Sequence, residues 1–218
     1  MVLTNRHSID LAAYRRSGQL QEESYKADQN NRLLWRFSSR RLDAEAIRDQ
    51  MLAVSGELSL TMGGAYIPTS RLETGEIVAP EDTPNSLRRT LYLNQKRTQV
   101  VSFLSVFDSP SIVFNSVRRN TSTMSLQSLS LLNSDFAVRR ARAAATSILG
   151  LTSDEANRIK VAFQVFYCRE PNDSELTESI RFLDQQTNLY MERPEARERA
   201  WQDFCQSLLA SSEFMYVE

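Results

Sequence analysis

Two four-residue stretches, Thr152-Ser153-Asp154-Glu155 and Asn172-Asp173-Ser174-Glu175, each set a side-chain acceptor three places ahead of a glutamate, directly before an apolar run. That order is a capping box. The first residue accepts from the backbone N–H three residues on, and the glutamate reaches back to the first residue's own N–H. Apolar residues then recur at helical spacing: Ile159, Phe163 and Phe166 after the first box, Leu176, Ile180 and Leu183 after the second. Pro194 suits the first turn of a further helix carrying Trp201, Phe204, Cys205 and Leu208. Only short connectors remain between these three helices, so each must fold back on the one before it. The expected product is a small antiparallel bundle at the C-terminus.

The same signals occur upstream. Residues 42–56 open on Asp43 as N-cap, place Ile47, Met51, Val54 and Leu58 one turn apart, and reach Gly56 where a C-cap belongs. Leu126, Leu129 and Leu132 predict one helix; Val138, Ala141, Ala145 and Ile148 predict another, ending near Gly150 and joined to the first at Asn133-Ser134-Asp135. Residues 100–107 read as a buried helix stopped by Ser109-Pro110. Residues 31–37 put large apolar side chains among arginines, as in a short helix or an extended arm whose guanidinium groups reach back to water. Between residues 59 and 94 the texture changes, because Gly63-Gly64, Pro68, Gly75, Pro80 and Pro84 break the apolar runs. Two or three short strands are expected there, at Ala65-Tyr66-Ile67, at Glu76-Ile77-Val78 and, best of all, at residues 89–94. The chain is therefore expected to be mainly α, a helical domain with a C-terminal antiparallel bundle and a small irregular or β insert around residues 59–95. As one domain over 1–218 it divides into an N-terminal helical part (1–58), the insert (59–97) and a helical core (98–218).

Composition closes off several function classes. A formal net charge of -1 provides no field to draw the chain to nucleic acid. No run approaches the roughly 20 apolar residues of a membrane span, and residues 1–10 lack the apolar centre of a signal peptide. His7 is the single histidine and no Cys-x-x-Cys pair occurs, so no metal site, haem site or other cofactor is expected. Cys168 and Cys205 lie in apolar helical patterns and read as buried free thiols; in an oxidising compartment their spacing also permits a bridge.

Two groups of residues carry candidate chemistry. Arg118-Arg119-Asn120 with Ser122 and Thr123 forms a basic, hydroxyl-rich loop that runs into a helix start, where unpaired N–H donors favour an anion. Arginines in such loops also serve to tie neighbouring carbonyls and carboxylates together. Glu45 and Asp49 stand four apart on one helix face beside Arg48, a spacing that could serve acid/base hydrolysis or an ordinary salt-bridged surface. No Gly-x-Ser-x-Gly turn is present.

Read in order, Ala13-Tyr14-Arg15-Arg16-Ser17, Asn31-Arg32-Leu33-Leu34-Trp35-Arg36, Arg41-Leu42-Asp43-Ala44-Glu45-Ala46-Ile47-Arg48-Asp49, Arg88-Arg89-Thr90-Leu91-Tyr92, Phe107-Asp108-Ser109-Pro110, the loop from Arg118 to Thr123 and the closing Ser211-Ser212-Glu213-Phe214-Met215-Tyr216-Val217 resemble a known family. It is the planctomycete-type C-terminal domain called domain of unknown function 1553. The resemblance implies the last part of a longer exported protein, often cytochrome c-associated, and hence an extracytoplasmic setting. It implies no catalytic residue. The absence of nucleophile, base and metal constellations, together with plentiful apolar helix faces, points to a non-catalytic helical module that docks against upstream domains of the parent protein or a partner chain. An acidic polysaccharide at the Arg118-Arg119 loop is a sharper version of that role. Two rival roles are a carboxylate-based hydrolase acting on polysaccharide and an accessory domain of a haem-c electron-transfer protein. One departure from the family pattern matters: members commonly show Thr-Pro-Leu-Gln where this chain has Met124-Ser125-Leu126-Gln127, so the hydroxyl cap is lost at Met124 and the helix starts from Thr123 or Ser125.

Overall fold

The computed structural model describes residues 15–81, 83, 85–111, 119–191 and 193–217. His7 and Arg118 lie outside them. The chain forms two compact units, residues 1–42 with 216–218, and residues 43–215.

In the first unit, α1 (Glu22–Ala27) is followed by a tight loop and then by β1 (Arg40–Arg41), which pairs antiparallel with β4 (Tyr216–Val217). Residues 31–37 are neither helix nor extended arm. Asp28 pins them, its carboxylate accepting from the Leu33 N–H at 2.7 Å and its carbonyl from the Trp35 indole at 2.8 Å. Asn31 and Leu34 adopt positive φ, with Asn31 closing the loop through a side-chain bond to the Arg36 carbonyl. Pairing polar groups locally in this way outweighs helix propensity over so short a segment.

The second unit is mainly α. α2 (Ala44–Val54) buries Ile47, Met51 and Leu52 and ends at Gly56, whose φ of +76° lets Glu57 and Leu58 donate back to the Leu52 carbonyl. The insert holds one hairpin, β2 (Ser70–Arg71) against β3 (Ile77–Val78), turning at Gly75. Ile67 contributes only an isolated bridge to Leu93. Residues 89–94, the best strand candidate, instead form a 3₁₀ turn over Thr90–Tyr92. Asp49 takes both the N–H and the hydroxyl of Thr90, removing that N–H from any ladder. Beyond the insert, α3 (Ser102–Val106) buries Phe103 and Leu104.

The remaining helices are α4 (Ser125–Asn133), α5 (Asp135–Leu151), α6 (Glu155–Tyr167), α7 (Asp173–Leu189), α8 (Ala196–Leu209) and α9 (Ser212–Met215). Ser134 ends α4 and caps α5, accepting from the Ala137 N–H. The α7 capping box is formed as expected, with both reciprocal bonds at 2.8 and 2.9 Å. The α6 cap is displaced: Asp154, not Thr152, accepts from Asn157, while the Thr152 hydroxyl accepts from the Asp154 N–H just before the helix. Aspartate is as good a cap as threonine and stands nearer the apolar run. Pro194 falls just ahead of the N-cap Glu195 rather than inside the first turn.

α8 lies against α5 and α7 and carries the fully buried Trp201 and Cys205. α5, packed against it, buries Ala137, Ala141, Ala144 and Ala145, whose short side chains let neighbouring helix backbones approach closely. Each large residue taken fully from water here contributes about 1.5–3 kcal/mol. The two cysteines are free thiols, Cys205 buried and Cys168 exposed. Cys168 was expected inside a helix, but it is the C-cap of α6 at φ 58°, a left-handed position that turns the side chain outward.

Candidate functional site

The loop singled out by sequence is held by its own neighbours. Arg119 Nη1 donates to Glu45 Oε2 at 2.6 Å and lies 3.6 Å from Asp43, and these carboxylates raise the affinity of its guanidinium for its proton. Ser122 gives its N–H and hydroxyl to Asp108 at 2.7 and 2.8 Å, and Gln127 donates to the Val106 and Ser122 carbonyls. Asn120 and Thr123 are exposed. Met124 is the N-cap of α4 without a side-chain cap bond; only the Gln127 half of the box survives, accepting from the Met124 N–H at 3.5 Å. The helix also turns a different face inward than its leucines suggested. Gln127 and Leu131 are buried, whereas Leu126, Leu129 and Leu132 are 52%, 51% and 49% exposed and Met124 is 55% exposed.

The two candidate acid/base carboxylates are likewise engaged. Asp49 Oδ1 accepts from the Thr90 N–H and hydroxyl at 2.6 Å each, and its other oxygen lies 3.4 Å from Arg89. Glu45 holds Arg119.

Sequence reading missed a second assembly beside them. Arg48 projects from the apolar stripe of α2 and Arg140 from the alanine stripe of α5, and both are under 5% exposed. Their guanidinium carbons lie 5.4 and 5.2 Å from the ring centroid of Phe136, within cation–π range. Arg140 Nη2 donates to Glu81 at 2.8 Å, and its Nε faces Glu57 at 3.1 Å. Arg48 instead donates to neutral oxygens: the Arg88 carbonyl and Thr90 hydroxyl through Nη1, and the Ser86 carbonyl through Nη2, at 3.1–3.2 Å. Burial pushes its affinity for the proton down, to a pKa of about 10, against the opposing pull of Asp49. Arg88, also buried, clamps the insert by donating to the carbonyls of Gly63, Ala65 and Asn85, with Tyr92 under its guanidinium at 4.3 Å. The helical wheel held the signal: Arg48 adjoins Ile47, Met51 and Leu52, and Arg140 adjoins Ala137, Ala141 and Ala144. A basic residue on an apolar stripe must find acceptors inside the protein.

A cavity of about 410 Å³ opens beside this assembly, between the β2–β3 hairpin, α3 and the start of α5. Arg48, Ile77, Glu81, Val101, Phe103 and Phe136 are among its walls. β3 is fixed to α3 by the Ile77 N–H, which donates to Ser102 Oγ at 2.9 Å. Among the described residues no cluster of three or more histidine, cysteine, aspartate or glutamate side chains is arranged to hold a metal ion, and no helix is long and apolar enough to cross a membrane.

These features define a mainly helical domain whose arginines brace its interior and whose basic loop is tied to its own carboxylates. Over residues 6–183 the chain matches the family described as PSD1, protein of unknown function (DUF1553), and it belongs to that family. No curated protein and no solved structure matches it.

Proposed function

We propose that this chain is a non-catalytic docking module that binds a protein partner through the outer face of α4. The observation that carries this reading is the leucine row Leu126, Leu129 and Leu132, continued by Met124, with about half of each side chain in water. A helix packed on one side needs one apolar stripe; α4 has a second, pointing outward. The partner suggested by the family setting is an upstream domain of the same exported polypeptide, outside the cytoplasm.

The hydrolase reading has less support, because Asp49 and Glu45 each hold structural partners and neither stands in the cavity wall. An acidic polysaccharide at Arg118, Arg119, Asn120, Ser122 and Thr123 would have to take the Arg119 guanidinium from Glu45 and Asp43 and the Ser122 donors from Asp108. Docking through the leucines needs no such exchange.

A photo-crosslinking amino acid at position 129, compared with one at exposed Leu189 on α7, tests the proposal in the producing cell. The expected result is a discrete protein adduct from position 129, none from 189, and loss of the adduct on adding Leu126→Glu and Leu132→Glu. No adduct from 129, or equal labelling from both positions, overturns it.

A further inference from the structure

The charged side chains around the cavity sort by depth. Glu76, Asp135 and Arg139 are exposed and Glu81 is half-buried, whereas Arg48 is 4% exposed. Glu81 is already neutralised, by Arg140 at 2.8 Å and Arg139 at 3.5 Å. Arg48 is the one buried ionic group in the wall among the described residues, and its charge is poorly answered. Among the described residues its nearest carboxylate oxygen, on Asp49, is 3.8 Å away and already accepts two hydrogen bonds from Thr90. Three hydrogen bonds to neutral oxygens leave two of the five guanidinium N–H donors unassigned. Apolar walls around a few placed polar groups, at this volume, suit a small organic ligand.

We propose that this cavity binds a small organic acid, an aromatic or branched apolar body ending in a carboxylate, with the carboxylate on Arg48 and the body against Ile77, Val101, Phe103 and Phe136. A carboxylate delivered to Arg48 supplies the counter-charge that the fold withholds, and a planar body extends the stack already made by Phe136 and the two guanidinium groups. The site is independent of the α4 face.

The probe is 2-naphthoate, with 2-naphthylmethanol as the uncharged comparison, titrated into the full-length chain by ligand-observed NMR and by thermal shift. A ligand of this size in a pre-formed pocket is expected to bind with Kd of about 1 mM or tighter. The alcohol is expected to bind roughly tenfold more weakly, as for loss of one charge-assisted hydrogen bond. Ala79→Trp, which fills the cavity from its wall, removes binding of both. Arg48→Gln removes the preference for the acid; if that variant fails to fold, the acid-to-alcohol ratio and Ala79→Trp still decide. No saturable binding by the wild type, equal affinity for acid and alcohol, or binding unchanged in Ala79→Trp each overturns the proposal.

Discussion

Asp49 shows how much one carboxylate can organise. From a half-buried position on α2 it collects the N–H and hydroxyl of Thr90 and so converts an apparent strand, residues 89–94, into a turn. Removing it leaves the N–H of buried Thr90 unpaired, while the Thr90 hydroxyl still reaches the Glu45 carbonyl at 3.3 Å; charge-assisted bonds of this kind contribute about 1.5–3 kcal/mol each before relaxation. Asp49→Ala is expected to lower stability by about 2 kcal/mol or more in urea unfolding, with m unchanged. The cysteines offer a second check at this scale. Burial pushes the Cys205 thiol far above its usual range, while Cys168 faces water at the end of α6. Thiol labelling of the native chain followed by mass spectrometry should find Cys168 modified and Cys205 protected until denaturant is added. Sequence showed both cysteines among apolar neighbours; it could not show that the backbone turns left-handed at Cys168.

At the scale of elements, caps with local causes were legible, and so were the buried faces of α2, α5, α6 and α8, whereas the face of α4 was not. The α7 box lies within four residues and forms as written. Asn172→Ala should lower stability by about 1 kcal/mol in thermal or urea unfolding. Met124 occupies an N-cap with extended backbone (φ −127°, ψ 144°) and no side-chain acceptor in use. Met124→Thr restores the acceptor without moving the chain and should raise stability by about 0.5–1 kcal/mol in the same measurement. The three leucines of α4 have the spacing of a buried stripe, yet Leu131 and Gln127 take the inside. Gln127 is drawn in because its amide meets the Ser122 carbonyl nearby and the Val106 carbonyl, which a segment 21 residues away supplies. Arg48 reads in sequence as one of a charged trio with Glu45 and Asp49, and its burial was hidden for the same reason. Its acceptors, at Ser86, Arg88 and Thr90, lie about forty residues away.

Over the whole second unit, ion pairs link elements that the helix pattern leaves separate. Arg169, just past α6, donates to Glu175 at 2.7 Å in the first turn of α7 and to Glu213 at 2.6–2.8 Å in α9. The Arg169 contact holds the Glu175 carboxyl below the ordinary glutamate value of 4.5. Glu175 therefore binds its proton less readily when folded than when unfolded. Its contribution to stability is fully present above about pH 4.5 and is lost as pH falls through the lower, folded value. Urea unfolding from pH 6 down to pH 3 should show this acid limb, and Arg169→Gln should flatten it by bringing Glu175 back toward its unfolded behaviour. A limb of unchanged steepness in that variant would assign the loss to other carboxylates.

The chain order of apolar, capping and turn residues determines by itself that this protein is mainly helical, where most of its longer helices lie, where its hairpin insert falls and which family it resembles. Those features depend on neighbours within a turn or two. Tertiary structure alone decides which arginines go inside, which leucines stay out and where a cavity opens, because a buried guanidinium or an outward leucine is stable only when distant segments supply its acceptors or leave its surface uncovered.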